Sequence, residues 1–97
     1  MLHIDSEDFE ILRAVLSKFN YTFYVYGSRS KGTQKKFSDL DLCIMDPISD
    51  LNMFYLKEAL EESDLPFKVD VRRFNDMSKD FQTIIQKDLI KLDFLGR

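Results

Sequence analysis

The chain contains three short segments with the composition of β-strands, and the helical patterns that separate them constrain the fold. Residues 21–26, YTFYVY, are all β-branched or aromatic, and residues 39–45, DLDLCIM, alternate polar with apolar side chains. Residues 67–74, FKVDVRRF, contain valine and phenylalanine and also read as a strand. Such segments, interleaved with helices, predict a small mixed β-sheet flanked by helices, of the α/β (α+β) class.

Amphipathic patterns predict three helices and complete the order α-β-β-α-β-α. The first covers residues 5–19, the second residues 50–62, and the last begins after Ser78, which can act as its N-cap. The side chains expected to face the core are Leu12, Val15, Leu16 and Phe19 in the first helix, Leu51, Phe54, Tyr55 and Leu56 in the second, and Phe81, Ile84, Ile85, Leu89 and Leu92 in the third. No repeat or linker interrupts this order, so we expect one domain over residues 1–97.

The last helix carries apolar residues on two sides. Ile90 and Phe94 lie roughly opposite the face that is expected to pack on the sheet, at 100° per residue. A helix of this kind would expose an apolar patch in a monomer and predicts a contact with a partner. The alternative is a helix that frays beyond Lys91.

The composition excludes several classes of protein. Hydrophobic residues make up 44% of the chain and charged residues 32%, with three glycines and two prolines, which argues against disorder and low complexity. No apolar run approaches the roughly 20 residues of a membrane span. The N-terminus lacks a signal-peptide pattern, and the single cysteine, Cys43, cannot form an internal disulfide, so a cytoplasmic protein is expected. A core this small would gain from a ligand or a second subunit, and a homo-oligomer stays open.

The charges are unevenly distributed along the chain. Four of the fourteen basic residues lie between residues 27 and 38, where no acid occurs, so the remainder has ten bases against seventeen acids. They are Arg29, Lys31, Lys35 and Lys36. An acidic protein with one basic loop predicts a local anion site and no direct binding of nucleic acid, which requires a basic face. The alternative is a solvated loop.

Three aspartates occupy positions that are unusual for a carboxylate. Asp39 and Asp41 are two residues apart on a predicted strand, so their side chains leave the same face. Asp70 lies within the third strand, between two valines. If the second and third strands are neighbours, the three carboxylates converge, and a divalent cation such as Mg²⁺ would compensate their repulsion. The alternatives are a solvated strand face and an exposed edge-strand residue.

Gly27 and Ser28 follow the first strand directly and precede the basic loop. Glycine allows a tight turn and a close approach of the backbone to a ligand. Ser28 adds a hydroxyl, and a helical turn over residues 28–31 would direct N–H groups toward an anion. The dipeptide alone is a common turn, and neither Walker A nor GxGxxG is present. Together with the aspartates, however, it predicts a nucleoside triphosphate with its phosphates at Ser28 and its Mg²⁺ at Asp39 and Asp41.

This combination resembles the minimal nucleotidyltransferases of the polymerase-beta-like superfamily. The family pattern appears as YGSRSKGTQKKFSDLDLCIMD at residues 26–46 and FKVDVRRF at residues 67–74. Family members often carry Gly-Ser-Arg-Ala-Arg-Gly; here Ser30 and Lys31 keep a small residue and a positive charge. The positions that match the pattern are Gly27, Ser28, Arg29, Gly32, Ser38, Asp39, Asp41 and Asp70.

The resemblance implies a polymerase-beta-like fold and nucleotidyl transfer from ATP with two Mg²⁺ ions. Asp39, Asp41 and Asp70 would be the metal ligands, and Asp70 would also help to deprotonate the attacking hydroxyl. The nucleotide and its phosphates would lie at the remaining matched positions. They are Gly27, Ser28, Arg29, Gly32 and Ser38, of which Ser28 and Arg29 would hold the outer phosphates.

The resemblance also implies a protein partner. Many minimal nucleotidyltransferases are antitoxins of HEPN-domain ribonuclease toxins and can add AMP to a tyrosine of the toxin. Larger members of the superfamily append a domain that binds the acceptor; a chain of this length is expected to receive its acceptor from another molecule. A non-catalytic antitoxin that neutralises its partner by binding is the alternative. A transferase for a small molecule such as an aminoglycoside is a third reading, against which the absent acceptor domain argues.

Overall fold

Four α-helices and four β-strands occur in residues 2–93, the part of the chain that the structure, a computed structural model, describes. The elements are α1 (Ser6–Leu16), β1 (Phe23–Tyr26), α2 (Ser28–Lys31), β2 (Leu40–Ile44), α3 (Asp50–Glu61), β3 (Val69–Arg73), a 3₁₀ helix (Phe74–Asp76), α4 (Lys79–Gln86) and β4 (Ile90–Lys91). The predicted α/β class is confirmed, with α2 at the expected helical turn and β4 as an addition. In this described part, no helix is long and apolar enough to cross a membrane.

The strands form one mixed sheet in the order β3-β2-β1-β4. β2 pairs antiparallel with β1 and parallel with β3, and β4 pairs antiparallel with the other edge of β1. The parallel pair β2–β3 is connected through α3, as a crossover requires. This register places Asp41 between Tyr26 on one side and Asp70 on the other.

The two faces of the sheet pack against different helices. On one face, the strands bury Val25, Leu42 and Val71 in a core shared with residues of α1 and α3. The helix residues of that core are Leu12, Leu16, Met53, Leu56 and Leu60. On the other face, Tyr26 and Cys43 pack against residues of α4 and the 3₁₀ helix in a smaller cluster. Because side chains alternate along a strand, Asp41 and Asp70 belong to this second face.

The predicted inward face of α3 is wrong at three positions. Leu51, Phe54 and Tyr55 are about half exposed or more, whereas Met53, Leu56 and Leu60 are buried. The helix carries apolar residues on both sides, so hydrophobic spacing alone could not determine its rotation. Its start is marked by Ser49, whose hydroxyl accepts a hydrogen bond from the Asn52 amide at 3.1 Å.

The predicted last helix is too long. Ser78 does cap it, accepting from the Phe81 amide at 3.2 Å, but α4 ends at Gln86 and the chain turns into β4. Ile90 therefore packs against the main core, and Leu92 is buried there, so the predicted two-sided helix is wrong. Ile84, expected to face inward, is 56% exposed. Phe94, the other half of the predicted patch, lies outside the described residues.

Candidate functional site

The turn from β1 into α2 requires glycine for two reasons. Gly27 has φ +80° and ψ −153°, a conformation that L side chains rarely adopt. A Cβ atom at this position would also lie 2.5 Å from Oδ2 of Asp41. The absence of a side chain therefore lets the Asp41 carboxylate lie against Gly27, the residue from which α2 begins.

α2 is a single helical turn whose end is shaped by Gly32. The Gly27 carbonyl accepts hydrogen bonds from the amides of Ser30 and Lys31 at 3.1 Å each, and the Ser28 carbonyl accepts from Gly32 at 2.8 Å. Gly32 has φ +82°, the left-handed conformation common just after a helix. The Ser30 hydroxyl donates to the Asp88 carbonyl, which ties the turn to the segment after α4.

Arg29 supports the loop that leads to the aspartates. The residue is 5% exposed, and its guanidinium donates to the carbonyls of Ser38 (3.0 and 3.1 Å), His3 (3.2 Å) and Lys36 (3.3 Å). Its Cζ lies 4.1 Å from the centre of the Phe67 ring. Ser38 in turn accepts from the Lys35 amide at 2.7 Å through its hydroxyl. Arg29 thus fastens residues 36–38 to the body of the protein; the phosphate contact that the resemblance implies stays a prediction.

The three predicted aspartates lie at one end of the β2–β3 pair. Asp41 and Asp70 occupy paired positions on the two parallel strands, and Asp39 lies one residue before β2. Asp41 and Asp70 are half-buried, while Asp39 is exposed. Burial raises the pKa of the Asp41 carboxyl, and the negative charges of Asp70 and Asp39 raise this pKa further. The three carboxylates therefore interact electrostatically across the end of the sheet.

Two residues that the sequence reasoning missed complete this end of the sheet. Arg72 places its Nε 3.2 Å from Oδ2 of Asp70, and its charge partly offsets the rise in the pKa of Asp41. The pKa of Tyr26 is raised to about 12, first by burial and then by the charge of Asp41. Both positions were recognisable, because Tyr26 immediately precedes Gly27 and Arg72 follows Asp70 by two residues on the same strand face.

The chemistry of this donor set fits a hard divalent cation. Carboxylate oxygens are the ligands that Mg²⁺ prefers, and a cation would relieve the repulsion that raises the pKa of Asp41. Among residues 2–93, no three acidic, histidine or cysteine side chains are arranged closely enough to hold a metal as they stand. Asp70 is instead paired with Arg72, whose Nε lies 3.2 Å from Oδ2 of Asp70.

Comparison with known proteins finds related sequences. The family model described as "Polymerase beta, Nucleotidyltransferase" matches residues 12–92. A protein of Haemophilus influenzae named "Probable protein adenylyltransferase MntA" is 44% identical over 90 residues, which is 89% of this chain and 79% of that protein.

Solved structures share the fold. A crystal structure of a toxin-antitoxin with AMP-PNP superposes with a TM-score of 0.64 at 21% identity, over 90% of this chain and 73% of that chain. A mutant of the toxin-antitoxin MntA-HpeT gives a TM-score of 0.62 at 20% identity, over 96% of this chain and 75% of that chain. These likenesses confirm the predicted polymerase-beta-like fold.

Proposed function

The chain belongs to the polymerase beta nucleotidyltransferase family, and from this premise we propose that it is a Mg²⁺-dependent enzyme that transfers AMP from ATP to a hydroxyl of a partner protein. The partner would be a toxin of the HEPN type, so that the protein acts as an antitoxin. Two findings support the proposal. The relative is named an adenylyltransferase, and the solved structures that share the fold of this chain are toxin-antitoxin structures.

One observation carries the enzymatic part of the proposal. Asp41 lies between the Gly27 turn and Asp70, so the residues proposed to bind phosphate adjoin the residues proposed to bind metal. Asp39, Asp41 and Asp70 would hold two Mg²⁺ ions. When bound, these ions would neutralise charge on the transferred phosphoryl group and on the leaving pyrophosphate. Gly27, Ser28 and Gly32 would form the phosphate-binding turn, with Arg29 and Ser38 holding the loop beside it.

In the proposed transfer step, Asp70 accepts the proton of the acceptor hydroxyl. The acceptor oxygen attacks the α-phosphorus of ATP, the bond from that phosphorus to the bridging oxygen breaks, and pyrophosphate leaves. The hydroxyl proton passes to an Oδ atom of Asp70, which is half-buried at the end of β3. The Arg72 guanidinium, with its Nε 3.2 Å from Oδ2 of Asp70, would orient this carboxylate.

Replacement of Asp70 by Asn tests the transfer directly. After incubation with Mg²⁺, ATP and the partner toxin, intact-mass spectrometry should show one or more AMP units on the partner. We expect Asp70→Asn to lower the rate of this modification by at least about a hundredfold, since it removes a metal ligand and a base. Complex formation should persist because the side-chain size is unchanged.

The matched control is Asp64→Asn, which makes the same chemical change at an exposed position after α3. This variant should modify the partner at the normal rate. If the wild-type protein adds no AMP and Asp70→Asn still neutralises the toxin fully, the enzymatic proposal is wrong. The protein would then be an antitoxin that acts by binding alone.

A further inference from the structure

One side of α3 exposes an apolar group that continues into an acidic group. Leu51, Phe54 and Tyr55 are 59%, 57% and 49% exposed, and they lie at helical spacing on the side opposite Met53, Leu56 and Leu60. One and two turns further along the same side come three exposed glutamates, the last of them at the C-cap. They are Glu58, Glu61 and Glu62. We call these six residues the α3 stripe.

The apolar half of the α3 stripe is a continuous surface. The rings of Phe54 and Tyr55 lie 5.8 Å apart between centres, inclined at 64°, and Leu51 is one turn before them. The buried side chains of α3 hold these residues in position from below. Large apolar side chains that are grouped on a fixed surface commonly mark a protein contact.

The acidic half is uncompensated in the part of the chain that the structure describes. None of its three glutamates forms an ion pair with a cation of residues 2–93. They also lie at the C-terminal end of the helix, where the helix dipole is negative and acidic residues are disfavoured. The cation within α3, Lys57, lies one turn before Glu61 and lines the same cavity, but no ion pair joins these two side chains. The α3 stripe therefore favours a binding partner with positive charge at this end.

We propose that the α3 stripe docks an amphipathic helix of a partner protein, with apolar residues against Leu51, Phe54 and Tyr55 and basic residues against the three glutamates. A helix is the matching shape because the stripe is a straight ridge about 18 Å long, at 1.5 Å per residue. A second copy of this chain fits poorly, since two stripes packed in parallel would bring six glutamates together, and two packed antiparallel would set the glutamates against Leu51 and Phe54.

The apolar half of this docking surface lies on the other face of the sheet from the proposed transfer site, and at its acidic end Glu61 lines a cavity at the β3 edge together with Asp70. α3 packs on the face of the sheet that carries Leu42 and Val71, whereas Asp41 and Asp70 belong to the opposite face. The inference goes beyond the proposed function and does not depend on nucleotidyl transfer. Binding through α3 can consequently be tested, and can fail, independently of catalysis.

A pair of designed peptides tests the proposal with the full chain. The first is a fluorescent helical peptide with a leucine stripe that continues into lysines; the second has the same leucines and glutamates instead of lysines. Fluorescence anisotropy should show binding of the basic peptide and much weaker binding of the acidic one. The double substitution Leu51→Ser/Phe54→Ser should lower the affinity for the basic peptide about tenfold or more, as expected when anchors at the centre of a contact are removed.

Charge reversal makes the test specific. Glu58→Lys/Glu61→Lys/Glu62→Lys should invert the preference, so that the acidic peptide binds better than the basic one. The matched control is Ile84→Ser, which changes a 56% exposed apolar residue on α4 and should leave the affinity unchanged. The thermal midpoints of all variants should stay near that of the wild type, because every replaced side chain is exposed.

Three results would overturn the proposal. If the apolar substitutions leave peptide affinity unchanged, the attraction is charge alone and no docking surface exists. If charge reversal does not invert the preference, the glutamates do not select the partner. If sedimentation shows a dimer that Leu51→Ser/Phe54→Ser dissociates, the α3 stripe binds a second copy. None of these results changes the AMP adduct expected from the transfer site, so the two proposals fail separately.

Discussion

The backbone at Gly27, the neighbouring charges and partial burial all act on the carboxylate of Asp41. Its carboxylate lies against Gly27 where a Cβ atom would clash, its strand neighbours are Tyr26 and Asp70, and its pKa is raised by burial and by the adjacent carboxylates. A half-buried carboxylate beside other negative charges destabilises the folded state when it is ionised. A bound cation would remove this cost, as expected of a site built for a ligand.

The raised pKa of Asp41 predicts a pH-dependent stability difference. A group whose pKa is raised by folding contributes stability that is fully present below its unfolded pKa of about 4 and is lost as the pH rises through its folded pKa. In metal-free buffer, Asp41→Asn should therefore unfold at higher urea concentration than the wild type at pH 7. The difference should shrink as the pH falls toward 4. A difference of opposite sign, or one that is constant with pH, would contradict this electrostatic account.

At the scale of elements, α2 and the loop that follows it depend on one buried arginine. Arg29 satisfies the carbonyls of His3, Lys36 and Ser38, and through them connects the N-terminal segment, the basic loop and the start of β2. Buried carbonyl groups that lose their donor cost more than an average hydrogen bond contributes. The position of Asp39, one residue after Ser38, therefore depends on Arg29.

Removal of the Arg29 side chain should destabilise the folded protein. We expect Arg29→Ala to lower the free energy of unfolding by about 2 kcal/mol or more, measured by urea denaturation. Arg29→Lys should recover only part of the loss, because an ammonium group cannot reproduce the planar fork of the guanidinium. Lys31→Ala, in the same helical turn but exposed, should change stability by about 0.5 kcal/mol or less. Equal effects of Arg29→Ala and Lys31→Ala would refute the supporting role.

The elements also show where sequence patterns stop being informative. β1, β2 and β3 were predictable because their composition and their flanking turns agree. α3 was predicted with the wrong side inward because Leu51, Phe54 and Tyr55 are as hydrophobic as Met53, Leu56 and Leu60. β4 was missed because the apolar pattern of residues 89–92 fits both a helix and a strand. The segment forms a strand because it pairs with the open edge of β1. That edge exists only in the assembled sheet, so the local sequence does not reveal it.

At the scale of the whole molecule, the sheet separates two surfaces with different chemistry. One side carries the packed core under α1 and α3, and the other carries the aspartates beside α4. The sequence predicted the aspartates and Gly27 together because the family pattern links them along the chain. Arg72 and Tyr26 were missed although their positions beside Asp70 and Gly27 were a usable signal, because their contact with Asp41 and Asp70 is apparent only once the strand register is known. The central claim is that this one end of the sheet binds a metal-nucleotide complex.

Thermal unfolding with and without ligand tests that claim most directly, and it requires no partner protein. Mg²⁺ and ATP together should raise the unfolding midpoint of the wild type by several degrees, because a ligand at a hundred times its Kd adds about 2.7 kcal/mol. Asp39→Asn/Asp41→Asn should lose this increase, while Glu58→Gln/Asp64→Asn, which removes the same charge from exposed positions, should keep it. An equal increase in the Asp39→Asn/Asp41→Asn variant and the wild type would contradict the account.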